Sequence, residues 1–291
     1  MLRVAKHAHN VGFSTVFAWN DMFEKTDPQV LKFHNLHSLI TPVVWGYKED
    51  VTVEGYFSEG LFDRLNTVFP SIYFATAFKG ANGIKQSFSN INRYLSTHQS
   101  YNRLLKGAAE IVSNKTAGIF VTGWSRYSHH RPLCELLPTS LPSLFMSLIY
   151  LQDPQIPASK VHKRLKRLLN CKEAEMRRAA REFQLNHTEI YYPPIETEYS
   201  TCHFLWAPIH KELEDLRFLT WLSHRVSSMD KKTRKELREK LERNEKELRS
   251  QLSPIFFDET IDEFIAGNFD PLKRRIEKKT IKMNSNIINT K

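Results

Sequence analysis

The chain is expected to be an α/β protein whose first half is a run of four β/α units with parallel strands. Three observations lead there. Four β-branched or aromatic runs, Ser14–Trp19, Ser38–Trp45, Ser71–Phe78 and Gly118–Trp124, alternate with amphipathic segments, which requires parallel strands joined by helical crossovers. Three of the five tryptophans, Trp19, Trp45 and Trp124, stand at the ends of those runs. After residue 153 the strand-like runs stop and long charged helical segments take over.

The elements follow in order. A helix over Leu2–Asn10 precedes the first strand. After it, Thr26-Asp27-Pro28 supplies a cap and a first-turn proline for a short helix bearing Val30, Leu31 and Leu36. A helix over Glu59–Val68 separates the second and third strands, and a loop and helix over Gln86–Val112 separates the third and fourth. The apolar helix Leu141–Leu151 closes this part. Four such units make half of an eightfold barrel, so residues 1–153 are read as half a barrel and residues 154–291 as a helical region. Within the latter, Tyr191-Tyr192-Pro193-Pro194 reads as a connector, and the tail after Glu277 as frayed. Leu237, Leu241, Leu248 and Leu252 fit a helix covering a hydrophobic groove better than a coiled coil.

Composition narrows the function. The 291 residues carry 41% hydrophobic side chains, enough for a sizeable core. The net charge of +10 divides as +3 over residues 1–153 and +7 over residues 154–291. The basic excess is interleaved with glutamates four residues away, as in Glu236–Lys240, Glu242–Lys246 and Glu245–Arg249, which marks a solvated helix face. A phosphate-binding patch needs one-sign clustering, so no nucleic-acid partner is expected. No stretch approaches the roughly 20 apolar residues of a membrane span, and the first residues lack the apolar core of a secretory signal; a cytoplasmic or nuclear protein without a membrane partner is expected. Cys134, Cys171 and Cys202 are odd in number and widely spaced, so a disulfide framework is not expected and a reducing compartment fits. Without a visible secretory signal, the sequons at Asn114 and Asn186 are expected to be unmodified.

In a parallel α/β barrel the carboxyl ends of the strands build the active site. Here they carry Trp19-Asn20-Asp21-Met22, Trp45-Gly46-Tyr47, Phe78-Lys79-Gly80-Ala81 and Trp124-Ser125-Arg126-Tyr127. An indole face there can pack against a pyranose ring while the ring hydroxyls bond outward; the alternative is three core indoles. Asp21 can orient a hydroxyl or amide or serve as a helix-start carboxylate, and Tyr47 and Tyr127 can donate hydrogen bonds or pack. Lys79, Arg126 and Phe78 complete the candidate substrate-binding set. His7-Ala8-His9 and His129-His130 raise a metal-dependent hydrolase as a minor alternative, but i and i+2 diverge on a helix. Cys134-Glu135 reads as a buried thiol rather than a nucleophile with its base, and no cofactor is expected.

The runs WNDM, PVVWGY, ATAFKGANG and GIFVTGWSRYSHHRPLCELLPTSLPSL, in that order, resemble the second half of glycoside hydrolase family 20 enzymes over residues 1 to about 150. The resemblance implies a TIM barrel represented by strands five to eight. It also implies removal of terminal β-linked N-acetylhexosamine from a glycan or glycoconjugate by substrate-assisted retaining catalysis. It makes Trp19, Trp45 and Trp124 the walls of the sugar pocket and admits a homodimer. Two departures matter. The family's catalytic Asp-Glu pair has no counterpart in residues 1–153, where only the reversed Glu49-Asp50 occurs; Asp258-Glu259 and Asp262-Glu263 lie in the helical region. Asn20 stands where the family resembles Trp-Asp-Asp-Met. The sequence is therefore expected to be a truncated, inactive part of such an enzyme, with a non-catalytic glycan-binding product as the alternative. Half a barrel would also leave two open strand edges.

Overall fold

A computed structural model describes residues 1–107, 115–172, 183–185, 189–191, 199 and 201–277. The chain forms two compact units that interleave in sequence. The first comprises Met1–Ala81, Asn90–Trp124 and Ser143–Val161, the second Asn82–Ser89, Ser125–Pro142 and His162–Lys291.

The first unit is built on one parallel sheet of β1 (Phe17–Trp19), β2 (Thr41–Trp45), β3 (Ile72–Lys79) and β4 (Thr116–Gly123), in that spatial order. Helix α1 (Leu2–Asn10) precedes it, and α2 (Pro28–Phe33), α3 (Leu61–Val68) and α4 (Ile91–Gly107) lie in the crossovers. Asp27 caps α2 as expected, its carboxylate accepting the Gln29 amide at 2.7 Å. A sequential parallel order has no reversal of direction, so the sheet lacks the switch point of a doubly wound fold.

Register assigns the two faces. Val44, Ile72 and Phe74, with Ala18 and Ile119 against them, pack on Leu61, Leu65 and Tyr101 in one core, so the helices cover that face. Phe17, Val43, Tyr73 and Phe120 point the other way, because Phe17 pairs with Thr41, Val43 with Tyr73 and Ala75 with Phe120. The Phe17 and Phe120 rings lie 5.0 Å apart. Yet β1 and β4 are separated by two strands, which on a flat sheet would put them about 14 Å apart. The sheet therefore rolls toward this second face, which is concave.

A buried polar triad braces the helical side. His98 lies between Thr76 Oγ1 (3.1 Å to Nδ1) and Ser147 Oγ (2.7 Å to Nε2). Ser147 gives its own proton to the Ser143 carbonyl, so Nε2 donates and Nδ1 accepts. Burial pushes His98 down to about 3, and the ring is neutral.

Two further helices, α5 (Leu137–Gln152) and α6 (Ala158–Leu168), contain the divisions between units. The second unit is organised by α7 (Ala207–Ser223), α8 (Lys231–Leu252) and α9 (Asp258–Asn268). Leu237, Leu241, Leu248 and Leu252 of α8 are all buried against Leu213, Leu216 and Leu219 of α7 and Ile261, Phe264 and Ile265 of α9, the groove-covering arrangement expected. Glu245 and Arg249 each find a partner elsewhere in the fold: Glu245 meets Lys273 at 2.5 Å and Arg249 meets Asp262 at 2.5 Å. Packing of α8 against its neighbours offers both side chains partners across helices.

Two expectations are corrected here. Cys171 and Cys202 form a disulfide across a separation of 31 residues, while Cys134 is buried and lies outside it. Spacing along the chain says nothing about which cysteines a fold brings together. The helical region also contains a two-stranded antiparallel sheet, β5 (Phe183–Leu185) with β6 (Glu189–Tyr191). Strands of three residues give too little periodicity to be read. Asn114, Asn186, residues 192–194 and the tail 278–291 lie outside the described residues. No helix among the described residues is long and apolar enough to cross a membrane.

Candidate functional site

The carboxyl ends of β1, β2 and β4 bring four aromatic rings together. Trp19 and Trp124 approach to 5.9 Å between ring centroids, Trp45 stacks on Tyr47 at 5.2 Å, and Tyr47 meets Trp124 edge-on at 5.9 Å. The three indoles remain 37–40% exposed, so they are surface groups converging on one spot and not core residues.

Each ring is positioned by main-chain geometry. Asp21, in the short 3-10 turn Asn20–Met22 after β1, accepts the Trp45 indole N–H at 3.2 Å, which ties the first strand end to the second. Gly46 follows Trp45 because Tyr101 donates toward the Gly46 and Ala75 carbonyls at 3.2 and 3.1 Å; a Cβ on Gly46 would sit 2.8 Å from that hydroxyl. Gly80 has φ of +79°, and a Cβ there would lie 1.9 Å from the Trp124 carbonyl oxygen. Lys79 is 4% exposed and donates its ammonium to that same carbonyl at 2.5 Å. Phe78 is buried, where it would meet any side chain at position 123. Lys79 and Phe78 thus hold the β3–β4 corner that presents Trp124.

Tyr47 is the polar group of the cluster. Its backbone N–H donates to the Tyr56 hydroxyl at 2.9 Å, and its carbonyl accepts from Arg93 at 3.2 Å. Its own hydroxyl is shielded from solvent beside Thr122 and Trp124 but makes no hydrogen bond of ordinary geometry. Burial raises the phenol above its usual range, with Thr122 and Trp124 opposing the shift. A neutral donor without a satisfied partner, set among indole rings, is a group that a ligand carbonyl or hydroxyl can satisfy.

Asn20, next to Trp19 in the chain, is buried. Its amide donates to Glu24 at 2.9 Å while its carbonyl oxygen has no partner. An amide at this position, unlike a carboxylate, gives Glu24 a donor.

Arg126 and Tyr127 belong to the second unit. Arg126 forms a two-pronged ion pair with Glu263 and also donates to the Arg131 carbonyl; the pairing raises the guanidinium and holds the Glu263 carboxyl below its usual range. Tyr127 is exposed. Cys134 donates its amide to the Ser125 carbonyl, and the buried Glu135 carboxylate accepts from the Asn82 amide at 3.1 Å. The His9 ring nitrogens face the Phe13 and Leu39 carbonyls at 2.9 Å each, and His129 and His130 are exposed. Among the described residues no group of three His, Cys, Asp or Glu side chains converges with metal-ligand spacing.

A strand-and-helix unit with aromatic rings at the carboxyl ends of its parallel strands has the general layout of an α/β ligand site. Comparison with known proteins makes this specific. No family model matches the chain. Part of it is hexosaminidase D-like: it is 34% identical to hexosaminidase D of Bos taurus over 136 residues, 46% of this chain and 38% of the bovine protein. It is also 34% identical to hexosaminidase D of Homo sapiens over 131 residues, 45% of this chain and 26% of the human protein. The matched stretch thus spans well under half the length of either relative.

Proposed function

We propose that the Trp19, Trp45, Tyr47 and Trp124 cluster is the sugar-facing wall of a β-N-acetylhexosaminidase pocket of the glycoside hydrolase family 20 type. On this reading the sheet is the second half of a TIM barrel, and its ligand is a terminal N-acetylhexosamine of a glycan or glycoconjugate. The observation that carries it is the convergence of these four rings at the ends of three parallel strands, in a chain that is partly hexosaminidase D-like. The concave sheet and the sequential strand order are what half of such a barrel requires.

The chemistry follows from what the cluster can and cannot supply. Indole faces hold the acetamido arm of the sugar close to its own anomeric carbon and keep water out, which raises its effective concentration as an internal nucleophile. The Tyr47 hydroxyl donates to the acetamide carbonyl, and Asp21, steadied by the Trp45 N–H, accepts from a sugar hydroxyl. Protonating the leaving oxygen needs a carboxylic acid, and orienting the acetamide needs a carboxylate beside it. Residues 1–153 contain no Asp-Glu dipeptide to provide them. The chain alone binds sugar without turnover, and turnover belongs to a longer protein in which a segment carrying that pair completes the barrel.

The test is a titration of N-acetylglucosamine and N-acetylgalactosamine followed by tryptophan fluorescence, run beside a chromogenic β-N-acetylglucosaminide assay. Saturable quenching that Trp19→Ala and Trp124→Ala abolish, with no hydrolysis, is the expected result. Fluorescence indifferent to both sugars at tens of millimolar, with the protein folded, removes the proposal.

A further inference from the structure

Helix α6 (Ala158–Leu168) has two unlike faces. Val161 and Leu165 are fully buried on one, and Leu169 just beyond the helix is buried with them. The other face is cationic. Lys163, Arg164 and Arg167 are exposed, and Lys160 one turn earlier continues the stripe, so the four recur at i, i+3, i+4 and i+7. None of these four side chains makes an ion pair or hydrogen bond with another described residue.

The composition here differs from that of α8. From Pro154 to Lys172 the chain holds Lys160, Lys163, Arg164, Lys166, Arg167 and Lys172 and no acidic residue. Along α8 cations are neutralised within the helix, Lys235 by Glu239 at 3.8 Å and Arg238 by Glu242 at 2.9 Å. Along the α6 stripe they meet only one another. Lys160 faces Lys163 and Arg164, and Arg167 faces the same two, each a like-charge contact that weakens a helix. The helix dipole favours Arg167 in the last turn but opposes Lys160 in the first. A solvated helix has no reason to keep this arrangement, whereas an anionic partner supplies the missing counter-charge.

We propose that this face of α6 docks an anionic polysaccharide, a chain of N-acetylhexosamine alternating with sugars that bear carboxylate or sulfate groups. The choice of a glycan among polyanions rests on the sugar-pocket reading, while the demand for a polyanion rests on α6 alone. A single small anion would leave most of the stripe unmatched. Successive helical turns, about 5.4 Å apart, are spaced like successive sugars of an extended chain, so one strand can meet all four cations. Arg164 and Arg167 offer planar forks to carboxylate or sulfate oxygens, and the lysines add point charges. Other anionic surfaces fit less well. Residues 158–170 hold no Phe, Tyr or Trp on which unpaired bases could stack. Leu168, 58% exposed, is the one large apolar side chain of α6 turned outward, too little for a helix lying in a lipid interface.

The test is fluorescence anisotropy of a labelled chondroitin sulfate oligosaccharide with the full chain, from roughly 50 mM to 200 mM salt. Saturable binding that weakens at least about tenfold over that range is expected. The triple variant Lys163→Ala, Arg164→Ala, Arg167→Ala should weaken it by about tenfold or more. That variant should melt no lower than the wild type, because alanine keeps the helix and removes the repulsion. Taking three cations from α8 instead, with Lys235→Ala, Lys240→Ala and Lys246→Ala, should change the affinity less than about twofold, since distant exposed charges are screened. No binding at roughly 50 mM salt, equal loss in the two triple variants, or tighter binding of a DNA duplex or of phosphatidylserine vesicles, compared per anionic group, would each overturn the proposal. Titration with neutral N-acetylhexosamine reports the tryptophan cluster separately. Quenching lost with glycan docking intact removes the pocket and leaves the stripe, and the reverse removes the stripe alone.

Discussion

Replacing Asn20 by aspartate should destabilise this chain. The Asn20 amide donates to the Glu24 carboxylate at 2.9 Å from a position 5% exposed. Asn20→Asp removes that donor, whose hydrogen bond to a charged acceptor contributes about 1.5–3 kcal/mol. It also sets two carboxylates about 3 Å apart, where both cannot stay ionised. Glu24 is half-buried and can swing partly toward water, which caps the repulsion. A net loss of about 2–4 kcal/mol at pH 7 follows, near the cost of protonating one carboxyl whose folded pKa is raised by two to three units. The sign then fixes the pH response. The folded variant holds a proton that the unfolded chain releases, so the deficit is full at neutral pH and shrinks by about 1.4 kcal/mol per unit as pH falls toward 5. Urea unfolding at pH 7 and pH 5 reads both effects, and Glu24→Gln in the Asn20→Asp background should recover most of the loss by giving the new carboxylate a donor. Wild-type stability at pH 7, or a deficit independent of pH and of Glu24, would refute the reasoning.

Two further outcomes can be checked with the same unfolding assay. Gly80→Ala forces a Cβ into the left-handed region and toward the Trp124 carbonyl 1.9 Å away, so a loss of about 3 kcal/mol and a shifted tryptophan emission are expected; an unchanged midpoint would show that the corner at Lys79 and Trp124 is not rigid. His98 and His210 are each pushed by burial down to about 3 in the folded chain, so between about pH 6.5 and pH 3 the unfolded chain binds the extra protons. Each unit should lose about 1.4 kcal/mol per pH unit as pH falls through that window, and a urea midpoint flat from pH 7 to pH 4.5 would contradict neutral burial.

Much of the first unit was legible because its signals are local. A β-branched run ending in tryptophan marks β1, β2 and β4, and Asp27-Pro28 marks the start of α2. The α8 leucines could be read for the same reason: a stripe on one face needs a groove, and α7 and α9 supply it. Long-range pairings could not be read. Arg126 finds Glu263 across 137 residues, and Cys171 finds Cys202, because the fold brings them together and nothing in the neighbouring sequence encodes it. Lys79 looks from its sequence like an ordinary strand-end cation. Its burial depends on the register of β3 against β4, which places the Trp124 carbonyl within reach.

The site residues divide by what holds them. Phe78, Lys79, Gly80 and Gly46 are fixed by the backbone they touch, so any protein presenting a tryptophan at this strand end has a structural reason to keep them whether or not it binds sugar. Identity at those positions argues for the scaffold. The exposed faces of Trp19, Trp45 and Trp124 have no such reason, since large apolar rings left in water cost free energy unless something covers them. The unsatisfied Tyr47 hydroxyl adds a polar demand at the same spot. The rings and this hydroxyl are therefore the groups left over for a ligand, while the buried lysine and the glycines account for why the rings stand where they do.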